Sequence, residues 1–174
     1  MIKKALYVIA SIVVLVVGSG IYLYNYLVPD AVADKIVNNT TSRTISTGPI
    51  VGFNDNGVDA WLGMRYAQAP IGEFRWRAPQ AAKNSPQTVN ALSFGSACPQ
   101  IERGSEDCLF INVWSPENSK SLPVMFWIHG GGNSIGEAAT SIYDGSRLAR
   151  ENNVVLVSIN YRLGPLGWQS LIHI

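Results

Sequence analysis

The 174-residue chain has few of the residues that bind metals or polyanions. It contains two Cys and two His, far apart along the chain, so no group has the spacing of a zinc site. Its 13 Lys and Arg against 12 Asp and Glu give a net charge of +1, and we expect no nucleic acid partner. We also expect no metal and no cofactor. With 47% hydrophobic and 14% charged residues, the composition is typical of one modest folded domain or two small ones.

Side-chain charge is also missing from most of the N-terminal segment, where Lys3 and Lys4 precede an uncharged run of 24 residues, 5–28. As a helix rising 1.5 Å per residue, this run would be roughly 36 Å long, enough to cross a hydrocarbon core of about 30 Å. The two lysines predict that the short end stays in the cytoplasm and the rest is exported. We predict that residues 1–28 form a membrane anchor, followed by a polar linker at 29–44.

The alternative is a secretory signal peptide cleaved near Ala33, although its apolar region would be longer than usual. Both interpretations place residues 45–174 outside the cytoplasm, in the periplasm or the extracellular space. Such a compartment permits a disulfide between Cys98 and Cys108, the only two cysteines. Closing this short loop contributes about 2–3 kcal/mol by chain-entropy reasoning. Two unpaired buried thiols are the alternative, and the spacing and compartment favour the bridge.

From residue 45 onward the pattern is typical of strands separated by turns. The cluster Asn54-Asp55-Asn56-Gly57 between the apolar runs 50–53 and 58–64 predicts a β-hairpin. Further strands are predicted at 109–114, 124–128 and 154–159, and a helix at 141–151. The runs 124–128 and 154–159 are apolar throughout, as in buried parallel strands. A strand, a helical segment and a second strand predict a βαβ unit, and hence an α/β fold.

Three consecutive glycines, Gly130 to Gly132, follow the strand at 124–128 and His129. A backbone without side chains can press its N–H groups against a ligand. Two such groups aimed at a carbonyl oxygen would stabilise the negative charge that develops when a nucleophile attacks. The strand, His and three glycines resemble the HGGG oxyanion-hole motif of α/β-hydrolases. A plain glycine-rich turn is the alternative.

Four motifs occur in the order found in the type-B carboxylesterases, the family of cholinesterases and bacterial para-nitrobenzyl esterases. They are GMRYAQAP at 63–70, SEDCLFINV at 105–113, PVMFWIHGGG at 123–132 and NYRLG at 160–164. The resemblance covers about residues 44–168. It implies the N-terminal portion of an α/β-hydrolase fold, with a β-hairpin region and the first core strands. It also implies a carboxylic ester hydrolase acting on a small ester.

The resemblance implies a role for individual residues. Gly131 and Gly132 would supply the oxyanion-hole N–H groups, and Cys98–Cys108 would match the first disulfide of the family. A structural ion pair is implied between Arg75 and Glu106, so this carboxylate is not expected to be catalytic. The remaining candidates are expected to shape the turn or the sheet end rather than to react: His129, Tyr161 and Arg162.

Two residues differ from the family pattern. Arg65 replaces a proline, which we expect only to loosen a turn, and Asn133 replaces a phenylalanine, which would alter the acyl pocket. The pattern G-x-S-x-G occurs once, as GNSIG at 132–136, where it overlaps the three glycines and does not follow a strand of its own, so we expect no nucleophile in this chain. The acid and base of the family follow the nucleophile in chain order. We therefore expect a truncated or frameshifted esterase that is inactive as this chain, with exposed apolar surface. The alternative is a non-catalytic, membrane-tethered binding module of the cholinesterase-like kind.

Overall fold

The structure is a computed structural model that describes residues 35–168. The predicted anchor at 1–28, residues 29–34 of the predicted linker and the last six residues lie outside the described part. Among residues 35–168, no helix has the length and apolar character needed to cross a lipid bilayer. The strands are β1 Arg43–Ile45, β2 Gly48–Val51, β3 Phe53–Asp55, β4 Val58–Arg65, β5 Val89–Asn90, β6 Phe110–Pro116, β7 Val124–Ile128 and β8 Val155–Ile159. The helices are α1 Ser146–Asn152 and α2 Gly164–Trp168, with 3-10 turns at Asn39–Thr41, Gly72–Phe74 and Ser141–Tyr143.

Two sheets form from these strands. The larger has the order β3-β4-β6-β8-β7, and the smaller has the order β1-β2-β5. In the larger sheet β3, β4, β6 and β8 pair antiparallel, whereas β7 pairs parallel to β8 from Val124 opposite Val155 to Ile128 opposite Ile159. The predicted α/β fold and the pairing of these two apolar strands are therefore confirmed. Strand β6, also predicted, joins the antiparallel part of the sheet.

The hairpin turn is present, but its first strand is shorter than predicted. Asn56 and Gly57 have φ values of 50° and 86°, the positive angles that two-residue hairpin turns require. Of the predicted strand at 50–53, Ile50 and Val51 instead belong to β2 in the smaller sheet. The chain changes sheets at Gly52, where a Cβ atom would lie against the carbonyl oxygen of Ala60. Only glycine permits so close a crossing.

The helix predicted at 141–151 is wrong in its extent, because a 3-10 turn and a shorter helix replace it. Gly145 separates the two, since a Cβ there would come within 2.6 Å of the Trp114 ring. The carboxylate of Asp144, the residue before the N-cap, accepts from the Ser146 N–H at 2.8 Å and so satisfies one backbone donor in the first turn of α1. Asn153, in the left-handed conformation with φ 53°, ends the helix.

The main core lies between the hairpin, β6 and α1. It consists of seven buried residues: Phe53, Val58, Ala60, Leu62, Trp114, Ala149 and Leu156. A buried amide ties the strands together beside it. Asn112 on β6 accepts from the Gly63 N–H at 2.9 Å and donates to the Ser158 hydroxyl at 3.1 Å. Gly63 lies where the register between β4 and β6 shifts, so its N–H group has no partner in the strand ladder. The Asn112 side chain accepts the hydrogen bond from this N–H group instead.

Strand β7 exposes apolar side chains on both faces. Its five residues are between 41% and 64% exposed, and in the described part of the chain only β8 pairs with it. A long apolar strand with an open edge promotes association between chains. The exposed apolar surface predicted from the sequence is thus located on β7.

We predict that Phe126→Lys reduces self-association of the chain, because it places a charge in the middle of this exposed strand. Light scattering and binding of an apolar dye measure the effect. Ile36→Lys is the control, since Ile36 is 81% exposed and lies outside the larger sheet. Equal reduction by both variants would show that added charge alone, and not β7, controls association.

Candidate active site

The glycine loop begins where β7 ends and turns back on itself. The carbonyl oxygen of Gly131 accepts from the N–H groups of Ser134 and Ile135, both at 3.1 Å. Gly131 has φ 123°, and a Cβ there would lie against the Ile135 carbonyl oxygen. Gly132 follows with φ 59°. The turn therefore needs glycine at Gly131 for space and at both positions for backbone conformation.

The N–H groups of Gly131 and Gly132 are available to a ligand. The hydrogen bonds within residues 35–168 include none donated by either N–H, and both residues are exposed. They lie just beyond the carboxyl end of β7, the edge of a parallel pair where open α/β sheets bind ligands. Such donors can stabilise a developing oxyanion when they are held rigidly.

His129 lies under this turn and is only 3% exposed. Its ring stacks on Tyr161 with centroids 4.4 Å apart, and its Nδ1 lies 2.9 Å from the carbonyl oxygen of Gly130. The Tyr161 hydroxyl donates to the carbonyl oxygen of His129 at 2.8 Å. A tyrosine hydroxyl is protonated at neutral pH, and burial raises the pKa of Tyr161 further, so this hydroxyl acts as the donor. These contacts fix the backbone at the start of the glycine loop.

Two amide side chains that hold the other end of the loop were not identified from the sequence as site residues. Asn160, directly after β8, accepts from the Ala138 N–H at 2.7 Å and donates to the Ser96 carbonyl oxygen at 2.9 Å. Gln100 bonds to the backbone of Gly136. Asn160 lies in the NYRLG motif, so the family motif could have identified it as a site residue. No sequence feature pointed to Gln100 apart from its position between the two cysteines.

A disulfide and two ion pairs surround the start of β6. Cys98 and Cys108 are bridged and buried, so the predicted disulfide is confirmed. Next to it, Arg75 and Glu106 form a two-pronged ion pair with both N–O distances at 2.6 Å. The 105–108 segment is thereby tied to the irregular segment that follows β4.

Arg65 has a larger role than the loosened turn expected from the sequence. It is the last residue of β4 and forms a two-pronged ion pair with Asp107, with both distances at 2.5 Å. Its guanidinium also lies 4.8 Å from the centre of the Phe110 ring. The hydrogen bonds from Arg65, with its charge, lower the pKa of Asp107 against the opposing effect of burial. This residue therefore links β4 to the start of β6.

The loop is also tied to the chain after β8. Asn133 has φ 59°, a conformation that asparagine adopts more readily than most residues, and its carbonyl oxygen accepts from the Gly164 N–H at 2.7 Å. Arg162 donates to the carbonyl oxygen of Arg77 at 2.9 Å. The Trp76 ring N–H donates to the Pro165 carbonyl oxygen at 3.0 Å. Arg162 and Trp76 thus connect the chain after β8 to the segment that contains Arg75.

The mixed sheet, with a glycine loop at the end of its parallel strand pair, defines an α/β-hydrolase fold with a candidate oxyanion-binding loop. The Carboxylesterase family matches residues 39–173, and the chain belongs to this family.

Three similar proteins illustrate the match. The chain is 41% identical over 140 residues to para-nitrobenzyl esterase of Bacillus subtilis (strain 168), covering 74% of the chain and 29% of that protein. It is 37% identical over 154 residues to cholinesterase of Mus musculus, covering 78% of the chain and 25% of that protein. A solved thermophilic PNB esterase superposes with a TM-score of 0.74 at 39% identity, covering 76% of the chain and 30% of that structure. The chain spans less than a third of each.

We predict that Arg65→Met raises the pKa of Asp107 toward the unperturbed value of about 3.9. Because the folded-state pKa is lowered, the pair stabilises the fold above about pH 4, and this contribution disappears as the pH falls through the lowered pKa. Both side chains are more than a third exposed, so at neutral pH the contribution to the free energy of unfolding is only about 0–1 kcal/mol. NMR titration of the Asp107 carboxyl carbon measures the pKa.

Arg103→Met is the matched control, because Arg103 pairs with Glu137 instead. It should leave the titration of Asp107 unchanged. An unaltered Asp107 titration in Arg65→Met would contradict the prediction.

Proposed function

We propose that the chain is part of a carboxylic ester hydrolase and supplies its oxyanion hole through the N–H groups of Gly131 and Gly132. The observation that carries this proposal is the pair of exposed N–H groups at the end of β7 that donate no hydrogen bond within the described part of the chain. Membership of the Carboxylesterase family supports the reaction class. The names of the relatives, a para-nitrobenzyl esterase and a cholinesterase, support a small ester as substrate.

In the proposed reaction the two N–H groups donate to the ester carbonyl oxygen as the carbon becomes tetrahedral. The negative charge that moves onto this oxygen strengthens both hydrogen bonds, so the transition state is stabilised more than the substrate. Attack requires a serine, a histidine base and an acid, which hydrolases of this fold carry in the order Ser, Asp/Glu, His. The G-x-S-x-G match in the 174 residues, GNSIG at 132–136, lies inside the glycine loop and not at a strand-to-helix turn, and its Ser134 hydroxyl donates to the Gly132 carbonyl oxygen at 3.2 Å. We therefore propose that this chain alone hydrolyses no ester.

Hydrolysis of para-nitrophenyl acetate by the purified 174-residue chain tests the proposed inactivity, and we expect the background rate. The DNA after codon 174, read in all frames, tests the source of the nucleophile. A downstream G-x-S-x-G segment supports the hydrolase. Its absence, together with a background rate, favours the non-catalytic membrane-tethered module.

We predict that Gly132→Ala lowers kcat by about 10²-fold in a longer form of the protein that carries a downstream G-x-S-x-G nucleophile segment. The methyl group strains the backbone at φ 59° and moves a donor away from the oxyanion, and loss of one donor costs about 10²–10³ in rate. Steady-state kinetics with para-nitrophenyl butyrate measure the loss.

Gly72→Ala is a closely matched control. Gly72 has φ 54°, and a Cβ there, like one at Gly132, would meet no atom within 4 Å. It carries the same backbone strain outside the glycine loop, so kcat should stay within twofold of the wild type. Equal losses of kcat in the two variants would contradict the assignment of the Gly132 N–H group to the oxyanion hole.

We also propose that residues 5–28 anchor the protein in a membrane, with residues 45–174 outside the cytoplasm. The uncharged run and the preceding Lys3-Lys4 support the anchor and its orientation. The Cys98–Cys108 disulfide is compatible with export. We predict that the chain stays in the membrane fraction after carbonate extraction and retains its N-terminus by mass spectrometry. A soluble species beginning near Asp34 would show that a signal peptide is removed.

A further inference from the structure

The side-chain amide of Gln100 forms hydrogen bonds with both the N–H group and the carbonyl oxygen of Gly136. Its Oε1 accepts from the Gly136 N–H at 3.0 Å, and its Nε2 donates to the Gly136 carbonyl oxygen at 3.0 Å. The same Nε2 lies 3.2 Å from the carbonyl oxygen of Cys98. The Arg103 guanidinium also donates to the Oε1 atom at 3.5 Å. Both polar atoms of one side chain are thus used, and two of the four contacts hold a single residue of the glycine loop.

Gly136 is the point at which the loop returns to its own beginning. It has φ 116°, and a Cβ there would lie against the carbonyl oxygen of Gly130 and the Nδ1 atom of His129. The residue before it, Ile135, donates to the carbonyl oxygen of Gly131. A displacement of Gly136 would therefore move the backbone that presents the Gly131 and Gly132 N–H groups.

Gln100 is itself held by the loop that the disulfide closes. Its backbone exchanges two hydrogen bonds with Arg103, at 3.0 Å and 3.3 Å, and the ends of the loop are joined by the buried Cys98–Cys108 bridge. From the other side of this small turn, Arg103 forms an ion pair with Glu137, the neighbour of Gly136, at 2.5 Å. The disulfide loop and the glycine loop are therefore joined at two adjacent residues.

We propose that Gln100 is a positioning residue for the oxyanion hole: it fixes Gly136 from the disulfide loop and thereby holds the two donor N–H groups in place. The effect of Gln100 on the backbone of the glycine loop, its mechanical effect, does not depend on any activity. Its effect on catalysis rests on the function proposed above.

Hydrogen exchange of the 174-residue chain, measured by mass spectrometry on peptides covering 130–138, tests the mechanical effect. Gln100→Met keeps the length of the side chain and removes every hydrogen bond of its amide. We expect the N–H groups of Ser134, Ile135 and Gly136 to exchange about tenfold faster in this variant, because two hydrogen bonds that hold the turn are lost. Peptides from β6 and β8 should keep their wild-type rates.

Gln80→Met is the matched control, since the Gln80 amide donates at 3.0 Å to the carbonyl oxygen two residues before it, as that of Gln100 does to Cys98. It should leave exchange in 130–138 unchanged. Gln100→Ala provides a second variant, which should give the same local loss if the methionine packs poorly. Wild-type exchange in both Gln100 variants, or equally faster exchange throughout the sheet, would overturn the proposal.

The catalytic consequence is tested in a longer form of the protein with measurable hydrolysis. Gln100→Met should lower kcat about tenfold, leave KM within twofold and leave the pH profile unchanged, because donor geometry matters most in the transition state. A raised KM with unchanged kcat would overturn the link to the oxyanion hole. If no longer form hydrolyses esters, the proposed function fails, and hydrogen exchange still decides whether Gln100 holds the loop.

Discussion

The larger sheet depends on β8, because this strand pairs in opposite senses along its two edges. It runs antiparallel to β6, with Ile111 opposite Ile159, and parallel to β7. Its central residues are buried, and the Ser158 hydroxyl accepts from Asn112, the side chain that also satisfies the bulge at Gly63. One strand thus joins the antiparallel part of the fold to the parallel pair.

The position of the candidate site follows from that parallel pair. Because β7 and β8 run in the same direction, their carboxyl ends meet, and the residues after β8 can hold the loop after β7. Tyr161 bonds to the backbone of His129, and Asn160 bonds to that of Ala138. The glycine loop is consequently supported by side chains outside it, and within residues 35–168 the Gly131 and Gly132 N–H groups donate no hydrogen bond.

Features governed by local sequence were predictable. The uninterrupted apolar runs indicated β7 and β8, and Asn56-Gly57 indicated a hairpin turn, because a two-residue turn needs residues that tolerate positive φ. The two cysteines indicated a disulfide. The motif that begins with His129 indicated the loop that now carries the candidate oxyanion donors.

Features governed by distant neighbours were not predictable from local pattern. The break between β2 and β3 depends on the Ala60 carbonyl oxygen opposite Gly52, and the break before α1 depends on the Trp114 ring against Gly145. Neither neighbour is visible in the periodicity of the segment that it interrupts. The Arg65–Asp107 pair joins residues 42 positions apart. The sequence therefore showed only that an arginine replaces a proline in the motif at 63–70, and not which residue it contacts. Gln100 was missed for the same reason.

The order of strands also constrains how the chain can fold during synthesis. Strand β7 is made before β8 but pairs, within the described residues, with β8 alone. As the polypeptide leaves the ribosome, its five apolar residues must wait for the glycine loop, α1 and β8 to emerge before they gain a hydrogen-bonded neighbour. During that interval β7 is an unprotected hydrophobic segment of the kind that chaperones bind. Slow translation of the residues between β7 and β8 would prolong this exposure.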